Sequence, residues 1–240
     1  MTDIAVDFAP QQDCVESHTR ASAETGNAQK PSTVSLVVFG LLFGFGLMGA
    51  VGAFAAFKGM SFAHFTRDPV SVMGGPAYIG FISNVGIVLW ISAAAAALTG
   101  SLLAKQMDCD TVTRNFLLVT GLITLLLGLD DLFMLHEEIL PRLGVPQKGI
   151  LLAYLSLGVL YALLHYRQIV GGRVTLFLLA GLFLGTSLAI DFFFPFSDTE
   201  ASLEDSAKLI GIVFWFLFVI SNVTILRTSH PTSALTKRLA

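Results

Sequence analysis

The chain has 240 residues, 54% of them apolar and 13% charged, with a formal net charge of -3 and a mean hydropathy of +0.75. Soluble domains carry about 25% charged residues, so this chain lacks the charged shell that keeps a globule in water. That excludes a soluble enzyme and a disordered protein, and a pI near 5.9 leaves no basic footprint for nucleic acid.

Residues 1–33 are polar, with five acids (Asp3, Asp7, Asp13, Glu16, Glu24) and two bases (Arg20, Lys30). They bury too little apolar surface to offset their ordering entropy and read as a disordered cytoplasmic tail. They lack the basic start and apolar core of a signal peptide.

Six apolar stretches follow, over residues 34–57, 77–104, 114–140, 150–166, 174–194 and 203–226. A helix needs about 20 residues to cross a hydrocarbon core of roughly 30 Å. Lipid offers the backbone no outside partner, so each segment must satisfy its own groups as a helix. A β-barrel would need strands of alternating polarity, and runs such as Ala93–Ala97 do not alternate. Breakers fall between the stretches: Gly74-Gly75-Pro76, Pro141, Gly144, Pro146, Gly171-Gly172 and Pro195. The expected fold is all-α: a polytopic integral membrane protein, a bundle of six transmembrane helices over 34–227, ending in a short basic cytoplasmic tail, 228–240.

The first connection, Lys58 to Pro76, mixes His64, Arg67 and Asp68 with Phe62, Phe65, Val70, Val72 and Met73. That mixture suits an interfacial or re-entrant segment, a lid over the outer mouth of the bundle. Basic residues number nine in the tails and even-numbered connections and four in the odd-numbered ones (Lys58, Arg67, Arg142, Lys148). Lysines and arginines stay inside, so both termini are expected in the cytoplasm, with the plasma membrane as the location. Cys14 and Cys109 then face a reducing compartment and read as incidental thiols.

Span three carries the chemistry. Its charge-free part, 115–129, is 15 residues, roughly 22 Å of helix and short of the core thickness. Arg114 prevents sliding, so Asp130 or Asp131 falls within the membrane, where an acid costs on the order of 2.5–3.5 kcal/mol at the centre. On a continuous helix to Pro141, Asp130 shares a face with Glu137 and Asp131 shares one with Glu138, with His136 on the flank. The plain alternatives are an interfacial break at the aspartates and a solvated helix end for His136, Glu137 and Glu138.

By depth, Asn84, Asp191 and Lys208 join Asp130 and Asp131 in the outer half of the bilayer. Charges in lipid find one another, which predicts one polar cluster from spans two, three, five and six, with Lys208 as counter-charge. The structural alternatives are a helix–helix hydrogen bond for Asn84, a wet interfacial position for Asp191, and capping for Ser202-Leu203-Glu204-Asp205, with Ser197–Glu200 as a second cap. Trp90 and Trp215 read as packing residues rather than a cofactor box. Gly40/Gly44 and Gly181/Gly185 are small-x3-small pairs, read first as bundle packing and second as homodimer contacts.

Three functions compete. The first is a binding or transport protein in which the carboxylates and His136 take a cation or a proton. The second is a membrane-embedded enzyme on a lipid or other hydrophobic substrate. Its catalytic candidates are Asp130, Asp131, Asp191 and Lys208, with a metal held by Asp130, Asp131, His136 and Glu137. A carboxylate-rich site favours a divalent cation such as magnesium, manganese or calcium over zinc. The third is a helper subunit whose ion pairs only staple helices. The first is preferred; the bilayer is the partner all three share.

Overall fold

A computed structural model describes residues 33–67, 69–76, 78–106, 111–193 and 198–228. The N-terminal tail, Cys14, Cys109, Asp68, Pro195 and the basic tail beyond 228 lie outside them. Among the described residues every regular element is helical. Six helices are long and apolar enough to cross a membrane. They are α1 (Thr33–Lys58), α2 (Phe81–Gln106), α3 (Thr111–Phe133), α4 (Gln147–Leu164), α5 (Val174–Phe193) and α6 (Asp198–Thr228).

Four boundaries differ from the sequence reading, each for a local reason. α2 begins at Phe81 because Gly80 takes a left-handed turn, φ 72°, that ends the preceding connection. α3 stops at Phe133 rather than running to Pro141. α4 ends at Leu164, and after His165 a short helix, Tyr166–Gly171, follows. α6 starts at Asp198, so Ser202 lies inside a helix, where its carbonyl accepts from Ser206 Oγ at 2.6 Å. The capping box at Ser202 is therefore wrong, and the cap reading at Ser197 falls outside the described residues.

The chain divides into two compact units after Phe81. In the first, α1 is followed by two short helical turns, Ala63–Thr66 and Pro69–Val72. The connection folds back on α1: Phe65 meets Phe54 edge-on, and the Phe62 ring lies over Gly52.

In the second unit, several close approaches among α2 to α6 are made at glycine and alanine. A Cβ at Gly121 of α3 would come within 2.7 Å of Leu98 of α2, and one at Gly128 within 2.9 Å of Trp90. Gly211 of α6 meets Leu184 of α5 at the same 2.7 Å, and Ala93 and Ala97 of α2 are wholly buried. Without a hydrophobic force between helices in lipid, such close approach supplies the packing. The expected seam at Gly181 and Gly185 is absent, because a Cβ at either glycine would meet open space.

The interior is a cluster of aromatics, Phe116, Tyr161, Phe177, Trp215 and Phe218, in stacked, tilted and edge contacts 5.4–6.4 Å apart. α3 runs through it as an acceptor. Thr120 Oγ1 donates to Phe116 O at 2.7 Å, which commits its proton, so Tyr161 of α4 donates to it, also at 2.7 Å. Thr124 donates to Thr120 O and accepts from Trp215 Nε1 of α6 at 2.9 Å. Threonine does not break a helix here because its hydroxyl bonds back to the previous turn.

Candidate functional site

Two turns beyond Thr124 the same helix carries Asp130 and Asp131, and there its backbone breaks. Met134 sits in the left-handed region (φ 49°, ψ 46°), a conformation that costs a side-chain-bearing residue about 1–2 kcal/mol. A single wide turn, Leu135–Ile139, follows, with Ile139 N–H donating five residues back to Met134 O. Such π-turns concentrate at functional sites. The break folds His136 back over the end of α3 instead of out along it. The two expected carboxylate stripes, Asp130/Glu137 and Asp131/Glu138, therefore do not form.

The carboxylate of Asp130 is the centre of this fold-back. It is 2% exposed and receives three donors. His136 N–H reaches Oδ1 at 3.0 Å, Tyr154 O–H of α4 reaches Oδ1 at 2.8 Å, and His136 Nδ1 makes a close pair with Oδ2. The other ring nitrogen, Nε2, lies 3.5 Å from Glu137, whose side chain is half exposed. Burial alone would lower the His136 pKa, and the Lys208 charge also opposes protonation. The hydrogen bond and negative charge of Asp130, helped by Glu137, outweigh both, and the pKa is raised above 6.5.

Asp131 faces the other way. Trp90 Nε1 of α2 donates to it at 2.9 Å and Lys208 Nζ of α6 at 3.3 Å. Asp191 of α5 accepts from the Gln147 amide of α4 at 3.2 and 3.3 Å. Glu204, one turn before Lys208, is close enough to Lys208 and Asp191 to feel both charges. Glu138 spends itself on Arg142 at the surface, an exposed i,i+4 pair worth little.

These groups form one end of a cavity of about 380 Å³. Asp130, Asp131, His136 and Tyr154 line that end with Asp191, Glu204 and Lys208. The rest of the wall is apolar, ending on Ile123, Tyr161, Phe177, Leu184 and Trp215. Among the described residues, no buried side-chain nitrogen or oxygen lacks a hydrogen-bond partner.

The sequence reading thus brought together Asp130, Asp131, His136, Asp191 and Lys208, and all five line the cavity. Glu137 touches His136 from outside it. Asn84 is exposed and lines no part of it. α4 was the omission: Tyr154 and Gln147 supply two of the donors that hold the aspartates. The four-residue metal set does not converge. Asp131 is held by Lys208 and Trp90, away from the Asp130–His136 pair. Among the described residues no group of three or more His, Cys, Asp or Glu side chains is placed to hold a metal ion.

Long apolar helices with ionisable groups buried among them define an α-helical integral membrane protein with an internal polar site. Residues 34–222 match a family model described as a domain of unknown function (DUF8692), and the chain belongs to that family. Comparison with curated proteins gives no match, and neither does comparison with solved structures.

Proposed function

We propose that the protein binds a proton within the membrane, on the Asp130–His136 pair, and passes it between the aqueous surface and the cavity. The supporting observation is that the two nitrogens of one buried imidazole face two different carboxylates. Nε2 faces the half-exposed Glu137 and Nδ1 the buried Asp130. Asp130 is in turn bonded to Tyr154, which lines the cavity. A proton arriving at Nε2 and one leaving from Nδ1 give a relay across the ring, a role suited to the side chain that titrates nearest neutrality. Metal-dependent catalysis is less favoured, because the aspartate expected to complete a ligand set is neutralised by Lys208. The bias of basic residues, nine to four, favours cytoplasmic termini, a plasma-membrane location and a cavity whose polar end faces outward.

The test is nitrogen NMR on protein labelled at its histidines, in lipid nanodiscs, with His136→Gln to assign the signal. His136 should titrate above 6.5 in the wild type, and its titration should fall in Asp130→Asn. A His136 ring that stays neutral from pH 5 to 9 would overturn the reading.

A further inference from the structure

The relay uses the polar end of the cavity and leaves the apolar remainder without a role. We infer that the cavity is a binding site for a single-chain hydrophobic amine: its ammonium against Asp191 and Glu204, its tail along α4 and α5. The inference goes beyond proton binding and rests on the cavity itself.

Shape is the first argument. The volume, about 380 Å³, lies near the low end of small-molecule sites, roughly 300–1,000 Å³. It suits one chain and is too small for a whole two-chain phospholipid. Three glycines line it, Gly158 on α4 and Gly181 and Gly185 on α5, and a Cβ at any of them would meet open space. Gly121, Gly128 and Gly211 are where helices of this unit touch; the three lining glycines are exposed and leave the space beside α4 and α5 open. Two lining residues of α4, Leu155 and Val159, are also exposed, so the cavity opens on the apolar side of that helix. A hydrophobic ligand can reach it from the bilayer.

Charge is the second argument. Four acidic groups line the polar end, Asp130, Asp131, Asp191 and Glu204, against two basic ones, His136 and Lys208. His136 pairs with Asp130 and Lys208 with Asp131. Asp191 accepts from the neutral Gln147 amide rather than from a cation, and Glu204 shares Lys208 from one turn away. Lys148 lines no part of the cavity: it is exposed and lies over the Phe192 ring. The end of the cavity is therefore net negative even with His136 charged. A cationic head supplies the missing charge, whereas a carboxylate or phosphate head would add to the excess. Buried charges persist in lipid when paired, and an ammonium pairs these.

The protein carries its own reporter. Its two tryptophans, Trp90 and Trp215, both line the cavity, so a brominated chain bound there quenches nearly all the emission. The experiment compares a terminally brominated twelve-carbon amine with the matching alcohol and carboxylate, on the full chain in phosphatidylcholine nanodiscs at pH 7. The amine is expected to quench at least tenfold more effectively than the other two. Asp191→Asn with Glu204→Gln should remove that preference while the tail still quenches. Gly185→Leu, which fills open space and is expected to fold, should abolish quenching by all three. Equal quenching by the three heads overturns the amine assignment. Wild-type quenching in a folded Gly185→Leu protein overturns occupation of the cavity. Neither result bears on the His136 titration.

Discussion

Two stretches of α3 solve the same problem with different chemistry. Midway along the helix Thr120 and Thr124 receive Tyr161 and Trp215 from neighbouring helices. At its C-terminal end Asp130 and Asp131 receive Tyr154, Trp90, Lys208 and His136. Each stretch also has a histidine nearby. His165, packed against Phe116 and Tyr161, has its pKa lowered by burial. His136, buried as well, has its pKa raised because a carboxylate offsets the burial. Neutral acceptors lock helices at small electrostatic cost. Charged acceptors do so only with counter-charges, and those counter-charges can gain or lose protons. The threonine stretch is a neutral fastening; the aspartate stretch is a fastening built on ionisable groups.

The contrast predicts unequal losses. Asp130→Ala should cost the most, on the order of 3–5 kcal/mol, since it strands a buried imidazole and leaves the Tyr154 hydroxyl and the His136 N–H without acceptors. Equilibrium unfolding in mixed micelles, followed by tryptophan emission, measures it. A loss no larger than that of Thr120→Val would erase the distinction between the two stretches. Thr120→Val should cost less, about 1–3 kcal/mol, from one unsatisfied phenol, and should leave the His136 titration where it is.

The smallest effect is on pH dependence. A raised His pKa stabilises the fold fully below the unfolded value, near 6.5, and the benefit is lost as pH rises through the folded value. Wild-type thermal stability should therefore fall as pH climbs above 6.5, and His136→Gln should flatten that slope. An unchanged slope in His136→Gln would assign it to other groups. A pH series of thermal midpoints decides.

Six spans were legible because charge-free runs and Gly/Pro breaks are coarse signals that the bilayer enforces. The aspartates at the end of span three were legible for the same reason: a run of 15 uncharged residues is too short to leave both of them in water. The break at Met134 was not, since neither glycine nor proline marks it and its cause is tertiary: the Asp130 carboxylate replaces the lost helical bond. The part played by α4 was hidden too. Tyr154 and Gln147 carry no charge, and a tyrosine in an apolar run looks like packing. Glycine spacing misled about packing within the bundle, because Gly181/Gly185 has the form of a helix seam while Gly121, Gly128 and Gly211 make the contacts. Spacing reports which residues share a face and says nothing of what lies opposite.

The left-handed Met134 has a mechanical meaning. Breaking the helix frees the His136 peptide N–H, and Asp130 takes it on the oxygen it shares with Tyr154, while its other oxygen holds the imidazole. One carboxylate thus splints the backbone and anchors the ring. The short stretch from Met134 to Ile139 acts as a coupling rod between them. Removing that carboxylate therefore unfastens the backbone turn and the ring together.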